Sequence, residues 1–404
     1  MFEIGLNEHQ RRIDRVHLVA LFGLMLLGAA FVYSATMVSE SARLAPWYNQ
    51  SWFRQIVWYV LGTGAAVALC CVDYHILARW SMVIYSVSVL LLVAVLFVGT
   101  VRFGARRWFD LGFFSLQPSE FAKLGLMLAL ASFLSRPADE LKFPSNFWKP
   151  LGLVILPFLL IMKEPDLGSA LVLLPTGFAM MYVAGTPRKY LLRLLGGVGV
   201  VAALFLTDIL FVTDARWQIP LHSYQRNRLL VYFGRDYTDF APPNATAAEL
   251  RLLRQKQLDD SMNVRQALIS VGSGGLTGKG WGQGTQKALG FLPRSVAHND
   301  FIFSVIAEEK GFVGSVIVIT LYGVILFTGL RIAGQARDRL GKVLAVGVVT
   351  LLFSHVFINI GMNIRLMPVT GVPLPLLSYG GSSVLGSLIA IGMMQNVYIY
   401  RKAY

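Results

Sequence analysis

Ten stretches of this chain are apolar for long enough to cross a lipid bilayer, at roughly 17–36, 55–72, 80–99, 117–134, 150–163, 168–186, 190–212, 301–329, 341–361 and 381–400. Most run to about 18 to 22 residues, close to the length of helix that spans a hydrocarbon core about 30 Å thick. In that solvent every backbone polar group must be satisfied internally, so only helices and closed barrels survive. Runs this long, without period-two alternation, are helical. Charged residues are only 14% of the chain and hydrophobic residues 55%, whereas a soluble domain carries charge at about a quarter of its positions. The expected fold class is therefore an all-α membrane protein with about ten transmembrane helices, organised as a single domain over residues 1–404.

Charge sets the orientation. With the N-terminus inside, one side of the membrane collects Arg11, Arg12, Arg15, Arg79, Arg136, Lys142, Lys149, Arg188, Lys189, Arg193, Arg331, Arg337, Arg339, Lys342, Arg401 and Lys402. The short connections on the other side keep fewer cations: Arg43, Arg54, Arg102, Arg106, Arg107, Lys163 and Arg365. That asymmetry follows the positive-inside rule and puts both termini in the cytoplasm. The net charge of +14 is accounted for by topology and by anionic lipid headgroups, and does not point to nucleic acid. The first apolar run lacks a small-residue cleavage site and reads as a retained helix. Cys70 and Cys71 are adjacent within an apolar run, which suits packing rather than a bridge.

One large extracytoplasmic loop, 213–300, separates the seventh span from the eighth. At roughly 90 residues it is too long for a mere connector, and Ala245 to Leu258 within it is rich in helix formers. The six histidines show no metal-ligand spacing, and no phosphate loop ending in Gly-Lys-Ser/Thr is present, so neither a tightly bound transition metal nor ATP-driven work is indicated.

The polar residues of interest gather on the outward side. Asp300, at the junction of the long loop with the eighth span, is flanked by aromatics and partly desolvated, which suits a general base; an N-cap for the following helix explains it equally well. Arg102, Arg106 and Arg107 could grip a diphosphate through guanidinium forks or anchor the chain at headgroup depth beside Trp108. Glu120 and Lys123 share a helix face within the fourth span, at a spacing that allows a functional or a structural pair. Glu164 and Asp166 sit in a proline turn, where Asp166 could also cap the next helix. The glycine-dense segment 271–286 could present backbone N–H groups and Lys279 to an anion, or simply turn. The last outward loop, 366–383, is irregular and apolar, and with Thr370 and Ser378 it suits a groove wall.

Taken in order, Arg106-Arg-Trp-Phe-Asp-Leu-Gly, Gln117-Pro-Ser-Glu-Phe-Ala-Lys123, Glu164-Pro-Asp-Leu-Gly-Ser169, Gly272-Ser-Gly-Gly-Leu-Thr-Gly-Lys-Gly280, Gly284-Thr-Gln286, His298-Asn-Asp-Phe-Ile-Phe303, Glu308-Glu309 and Pro373-Leu-Pro-Leu-Leu-Ser-Tyr-Gly-Gly-Ser-Ser383 resemble the motifs of the SEDS family (shape, elongation, division and sporulation). Pro368-Val-Thr-Gly-Val-Pro-Leu-Pro is similar to the RodA branch rather than to FtsW. The resemblance implies a peptidoglycan glycosyltransferase of the bacterial cytoplasmic membrane that polymerises lipid II on its outer face. It implies Asp300 as the base for the acceptor sugar 4-hydroxyl, with substrate held among Arg106, Arg107, Gln117, Glu120, Lys123, Glu164, Asp166, Lys279, Thr370 and Ser378. A class B penicillin-binding protein and rod-complex proteins such as MreC and MreD are the implied partners. No cofactor is implied, and a role for a divalent cation, Mg or Mn, is left open. A lipid II flippase and a non-catalytic scaffold are the competing expectations. This chain departs from the family at Asn299, where Thr is common, at Arg365, where glycine is usual, and at Met262 and Ala267, where Tyr and Ser are usual, and its segment 236–260 is longer and more charged than is typical.

Overall fold

The structure is a computed structural model and describes residues 13–37, 46–102, 105–110, 112, 114–137, 139–140, 143–212, 223–241, 245–291 and 297–402. Arg11, Arg12, Arg43 and Lys142 lie outside them, as does the side chain of Arg102. The helices are α1 Arg15–Thr36, α2 Ser51–Cys70, α3 Tyr74–Arg79, α4 Ser81–Val98, α5 Pro118–Leu134, α6 Pro144–Lys163, α7 Leu167–Val183 and α8 Arg188–Phe211. After these come α9 Ser223–Phe233, α10 Ala247–Ser273, α11 Thr285–Ala288, α12 Ile302–Gln335, α13 Arg339–Asn363 and α14 Gly381–Ile399.

Among the described residues, eight helices are long and apolar enough to cross a membrane: α1, α2, α4, α6, α8, α12, α13 and α14. The shorter apolar α7 and the 17-residue α5 pack among them. Together these match the ten expected spans closely. The chain is a multi-pass membrane protein. α13 and α14 form the centre, buried over 78% of their most apolar stretch, while α8 is buried over only 11% and faces outward from the bundle.

Local chemistry explains the element ends. Asp14 caps α1, accepting from the His17 N–H at 3.2 Å, and also holds Arg331 of α12. Pro118 and Pro144 open α5 and α6, where a missing N–H costs nothing. Asp166 caps α7 by accepting from the Ser169 N–H at 3.2 Å.

Two departures from the sequence reading matter. The loop between α4 and α5 is an antiparallel ribbon of β1 Thr100–Arg102, β2 Ala105–Asp110 and β3 Ser115–Leu116, in the order β1-β2-β3. The surface helix expected over 245–258 runs on to Ser273. A capping box between Thr246 and Glu249 starts it, and Ala267 and Ser270, both buried, carry it against α12. Leu253 packs beside Leu230 and Tyr237 while Leu252 is exposed, the divergence that helical spacing dictates.

α12 is not one continuous helix. Gly311 adopts φ 64°, ψ −157°, which breaks the hydrogen-bond ladder. The glycine-dense loop repairs the break: Phe312 N–H donates to Gly275 O at 2.8 Å, Lys279 N–H to Glu308 O and Gly280 N–H to Glu309 O, both at 3.0 Å. A β-carbon at Gly311 would lie 2.4 Å from Gly278 N. Gly311→Ala is therefore expected to lower the thermal midpoint, by an amount equivalent to about 2 kcal/mol or more from the steric and positive-φ costs combined. A melting curve of the purified protein checks it, and an unchanged midpoint refutes the docked-loop account.

Candidate functional site

Asp300 closes the turn that precedes α12. Two amides on one face of α13 hold its backbone: Asn359 Nδ2 donates to Asp300 O at 3.0 Å and Asn363 Nδ2 donates to it at 3.1 Å. Asn359 also reaches Val372 O at 2.7 Å, and Asn363 accepts from Ser304 Oγ at 2.6 Å. Both asparagines are fully buried. Ser378 Oγ, which accepts from Leu374 N–H at 2.8 Å, donates to Asn299 O at 2.5 Å. Tyr379 N–H donates to His298 O at 2.9 Å. The last loop and α13 thus fix residues 298–300 from two sides.

The Asp300 carboxylate opens into a cavity of about 920 Å³ whose walls include Arg54, Trp58, Arg107, Arg228, Arg365, Thr370 and Tyr379. Arg228, from α9, donates to Val369 O at 2.9 Å. Gly371, at φ 75°, holds a backbone conformation that favours glycine, and a β-carbon there would lie 3.6 Å from Asp300 Oδ2 and 3.9 Å from Arg228 Nη1, ordinary contacts that place both groups beside this turn. Burial pushes the Asp300 carboxyl up to about 6, against the pull of Arg228; Asp166 raises it further and Arg107 lowers it. Burial also brings the Arg228 guanidinium down to about 10, with Asp300 acting the other way.

A buttress stands behind this wall. Arg107 on β2 donates through Nε to Glu164 O at 2.9 Å and through Nη2 to Pro165 O. Gln117 Nε2 donates to Asp166 Oδ2 at 3.0 Å, so the capping carboxylate also pins the start of α5. Glu164 is fully buried, with neither carboxyl oxygen hydrogen-bonded among the described residues. Burial first, then Asp166, drives its carboxyl up to about 9, opposed by Arg107, so it carries its proton at neutral pH.

Of the residues nominated by sequence, Asp300, Arg107 and Thr370 meet at the cavity, and Gln117, Glu164, Asp166 and Ser378 brace it. The rest lie elsewhere. Arg106 is exposed on the opposite face of β2, because successive strand residues alternate, and contacts Phe97 O at 3.4 Å. Lys123 is buried in the bundle between Glu120 Oε1 at 2.8 Å and His355 Nε2 at 3.0 Å. Lys279 turns to Glu308 Oε1 at 2.7 Å, a carboxylate that also accepts from Thr285 Oγ1 and Gln286 N–H, both at 3.0 Å. Its charge is spent on docking the glycine loop. Sequence reasoning missed Arg228, Asn359 and Asn363. Arg228 is one of many charges in a polar loop, but two amides four residues apart in an apolar span were a readable signal. Among the described residues no group of three or more His, Cys, Asp or Glu side chains could hold a metal.

The model of the FtsW/RodA/SpoVE family, described as cell cycle protein, matches residues 15–403. The peptidoglycan glycosyltransferase MrdB of Escherichia coli (strain K12) is 34% identical over 96% of this chain and 95% of its own. The stage V sporulation protein E of Bacillus subtilis (strain 168) is 35% identical over 94% and 95%. Among solved structures, a chain of a peptidoglycan synthase complex that coordinates polymerization and crosslinking superposes with TM-score 0.74 at 30% identity, covering 97% of this chain and 99% of that one. The rod shape determining protein RodA of Thermus thermophilus gives 0.65 at 29% identity, over 97% and 98%.

Proposed function

This chain belongs to the FtsW/RodA/SpoVE family of cell cycle proteins, and from that membership we propose how its cavity works as a peptidoglycan glycosyltransferase that polymerises lipid II into glycan strands during elongation. The observation that carries the reading is one carboxylate, Asp300, set among the guanidinium groups of Arg107 and Arg228 at the edge of a transmembrane bundle. Asp300 takes the proton of the acceptor sugar 4-hydroxyl. The freed oxygen attacks the anomeric carbon of the donor chain, a new C–O bond forms, and the bond to the lipid diphosphate breaks. Arg107 and Arg228 meet the charge that develops on the departing diphosphate, a role preorganised donors fill best where water is scarce. No step is routed through a divalent cation; rates with and without Mg or Mn measure what such an ion adds to the arginines.

The cation asymmetry of the connecting segments supports both termini inside and the cavity outside, where the growing wall lies. The synthase complex among the structural neighbours supports a class B penicillin-binding protein as the crosslinking partner, and MreC and MreD as neighbours in a rod complex extend that proposal. A flippase would use the same cations but has no need of a base.

The test is incubation of the purified protein with labelled lipid II, alone and with its transpeptidase. Glycan polymer is the expected product; none in either condition overturns the reading. The raised Asp300 carboxyl adds a pH signature. A base must be ionised, so kcat/KM is expected to fall about tenfold per pH unit below about 6 and to level off above it. A profile flat from pH 5 to 8 removes Asp300 from that role.

A further inference from the structure

Arg365 ends α13 in a conformation unsuited to it. Leu366 N–H donates to Gly361 O at 2.7 Å and Arg365 N–H to Met362 O at 3.3 Å, the paired bonds of a Schellman cap, with Arg365 at φ 59°. That position belongs to glycine, because a β-carbon crowds the following carbonyl, and arginine has no short polar group to bond locally in compensation. The turn itself does not require arginine.

What the side chain gains is the cavity. Arg365 lines it together with Asp300, Arg107 and Arg228, and among the described residues its guanidinium forms no hydrogen bond or ion pair. The nearby acids of α10 are engaged elsewhere: Asp260 accepts from Tyr237 Oη at 3.0 Å and Asn227 Nδ2 at 3.2 Å, and Asp259 from Gln255 Nε2 at 3.2 Å. The backbone around Arg365 is held firmly, since Tyr232 Oη donates to Leu366 O and Arg228 to Val369 O, both at 2.9 Å. A strained residue fixed at the wall of a cavity, with its donors uncommitted, points to a ligand that takes them.

We propose that Arg365 is a phosphate-binding residue of this cavity, a specificity device of this chain that grips the phosphate of a lipid-borne anion entering it. The proposal rests on the assignment of the cavity to lipid-linked sugars. Its guanidinium supplies two parallel N–H donors, the geometry that suits a phosphate. A blander account is that the cation only complements the negative end of the α13 dipole. The two accounts predict opposite signs for stability.

The experiment compares wild type with Arg365→Gly, Arg365→Asn and Arg365→Lys. Undecaprenyl diphosphate binding is measured in neutral detergent, and lipid II turnover in neutral vesicles and in vesicles containing phosphatidylglycerol. Glycine is expected to raise the thermal midpoint by relaxing the cap, while weakening diphosphate binding and raising KM about tenfold, as loss of a charge-assisted pair does. The change falls on KM rather than kcat. Asparagine, which tolerates the backbone, should bind equally poorly, and lysine should recover part of the loss. Weakening in neutral detergent assigns the ligand to the substrate diphosphate, and a change confined to phosphatidylglycerol vesicles assigns it to a phospholipid headgroup; either supports a phosphate site. Unchanged binding in detergent together with unchanged KM in both kinds of vesicle overturns it, whatever the midpoint, and a lower midpoint for Arg365→Gly then favours the dipole account. The binding arm needs no turnover, so a chain that fails to polymerise lipid II would sink the enzymatic reading without deciding this one.

Discussion

Asp300→Asn is expected to abolish glycan polymerisation and, at neutral pH, to raise the melting temperature. Both effects follow from one burial. The amide matches the carboxylate in shape but cannot take a proton from a sugar hydroxyl, and loss of a positioned base slows transfer by about 10²- to 10⁴-fold. The folded carboxyl sits near 6 against an ordinary value of 3.8, so between those pH values the folded protein binds more protons than the unfolded one. Stability contributed by this group is then greatest at low pH and is lost as pH rises from about 4 through 6. Asparagine removes that loss. The midpoint gap between mutant and wild type should be open at pH 7.5 and close by pH 4. Glycan gels and melting curves in detergent measure the two halves separately. A mutant that still polymerises sinks the base, and one that melts below wild type at pH 7.5 sinks the desolvation argument.

Asn359→Leu should be the next most damaging change. Leucine fits the volume but donates nothing, leaving Val372 O without this donor and Asp300 O with Asn363 alone. An unsatisfied buried carbonyl costs about 1–3 kcal/mol. The larger effect is on geometry: Asp300 and the last loop are both registered to α13 through this one amide, and misplacing a reacting group by about 1 Å costs on the order of 10²-fold. kcat is therefore expected to fall about 10²-fold with KM changed far less, and the acid limb of the pH profile should shift because Asp300 moves relative to Arg228. Asn363→Ser, which keeps a hydroxyl donor, should lose much less. If Asn359→Leu melts early yet turns over normally, with an unshifted profile, the asparagine only stabilises the bundle.

The bundle was legible because bilayer thickness fixes the length of a spanning helix, so hydropathy alone located α1, α2, α4 and most of the others within about four residues, while α6 starts six residues before its apolar run and α12 ends six residues beyond its own. Local rules also served within a turn or two of chain: the cap at Asp166 and the pairing of Glu120 with Lys123 follow from spacing. Asp300 itself came with equal claims as base and as cap, and family motifs tipped it. What spacing does not encode is which distant groups meet. Lys279 reaches a carboxylate 29 residues away and Asn359 a carbonyl 59 residues away. The glycine loop looked like an anion cradle because its true anion, the buried Glu308, lay beyond any local window. Arg228 was hidden for the same reason, and so was the ribbon that aims Arg107 inward while Arg106 faces out.

The break at Gly311 divides α12 into a short arm adjoining Asp300 and a long arm, and the glycine loop bonds to both, accepting from Phe312 and Val313 N–H on one side and donating from Lys279 and Gly280 N–H to Glu308 O and Glu309 O on the other. When the bilayer thins or thickens, a spanning helix adjusts by tilting, and four backbone hydrogen bonds to one loop hold the two arms of this helix together against that rotation. The proton acceptor is thus splinted to its membrane anchor by a neighbouring loop, across a gap the helix leaves open in its own hydrogen bonding.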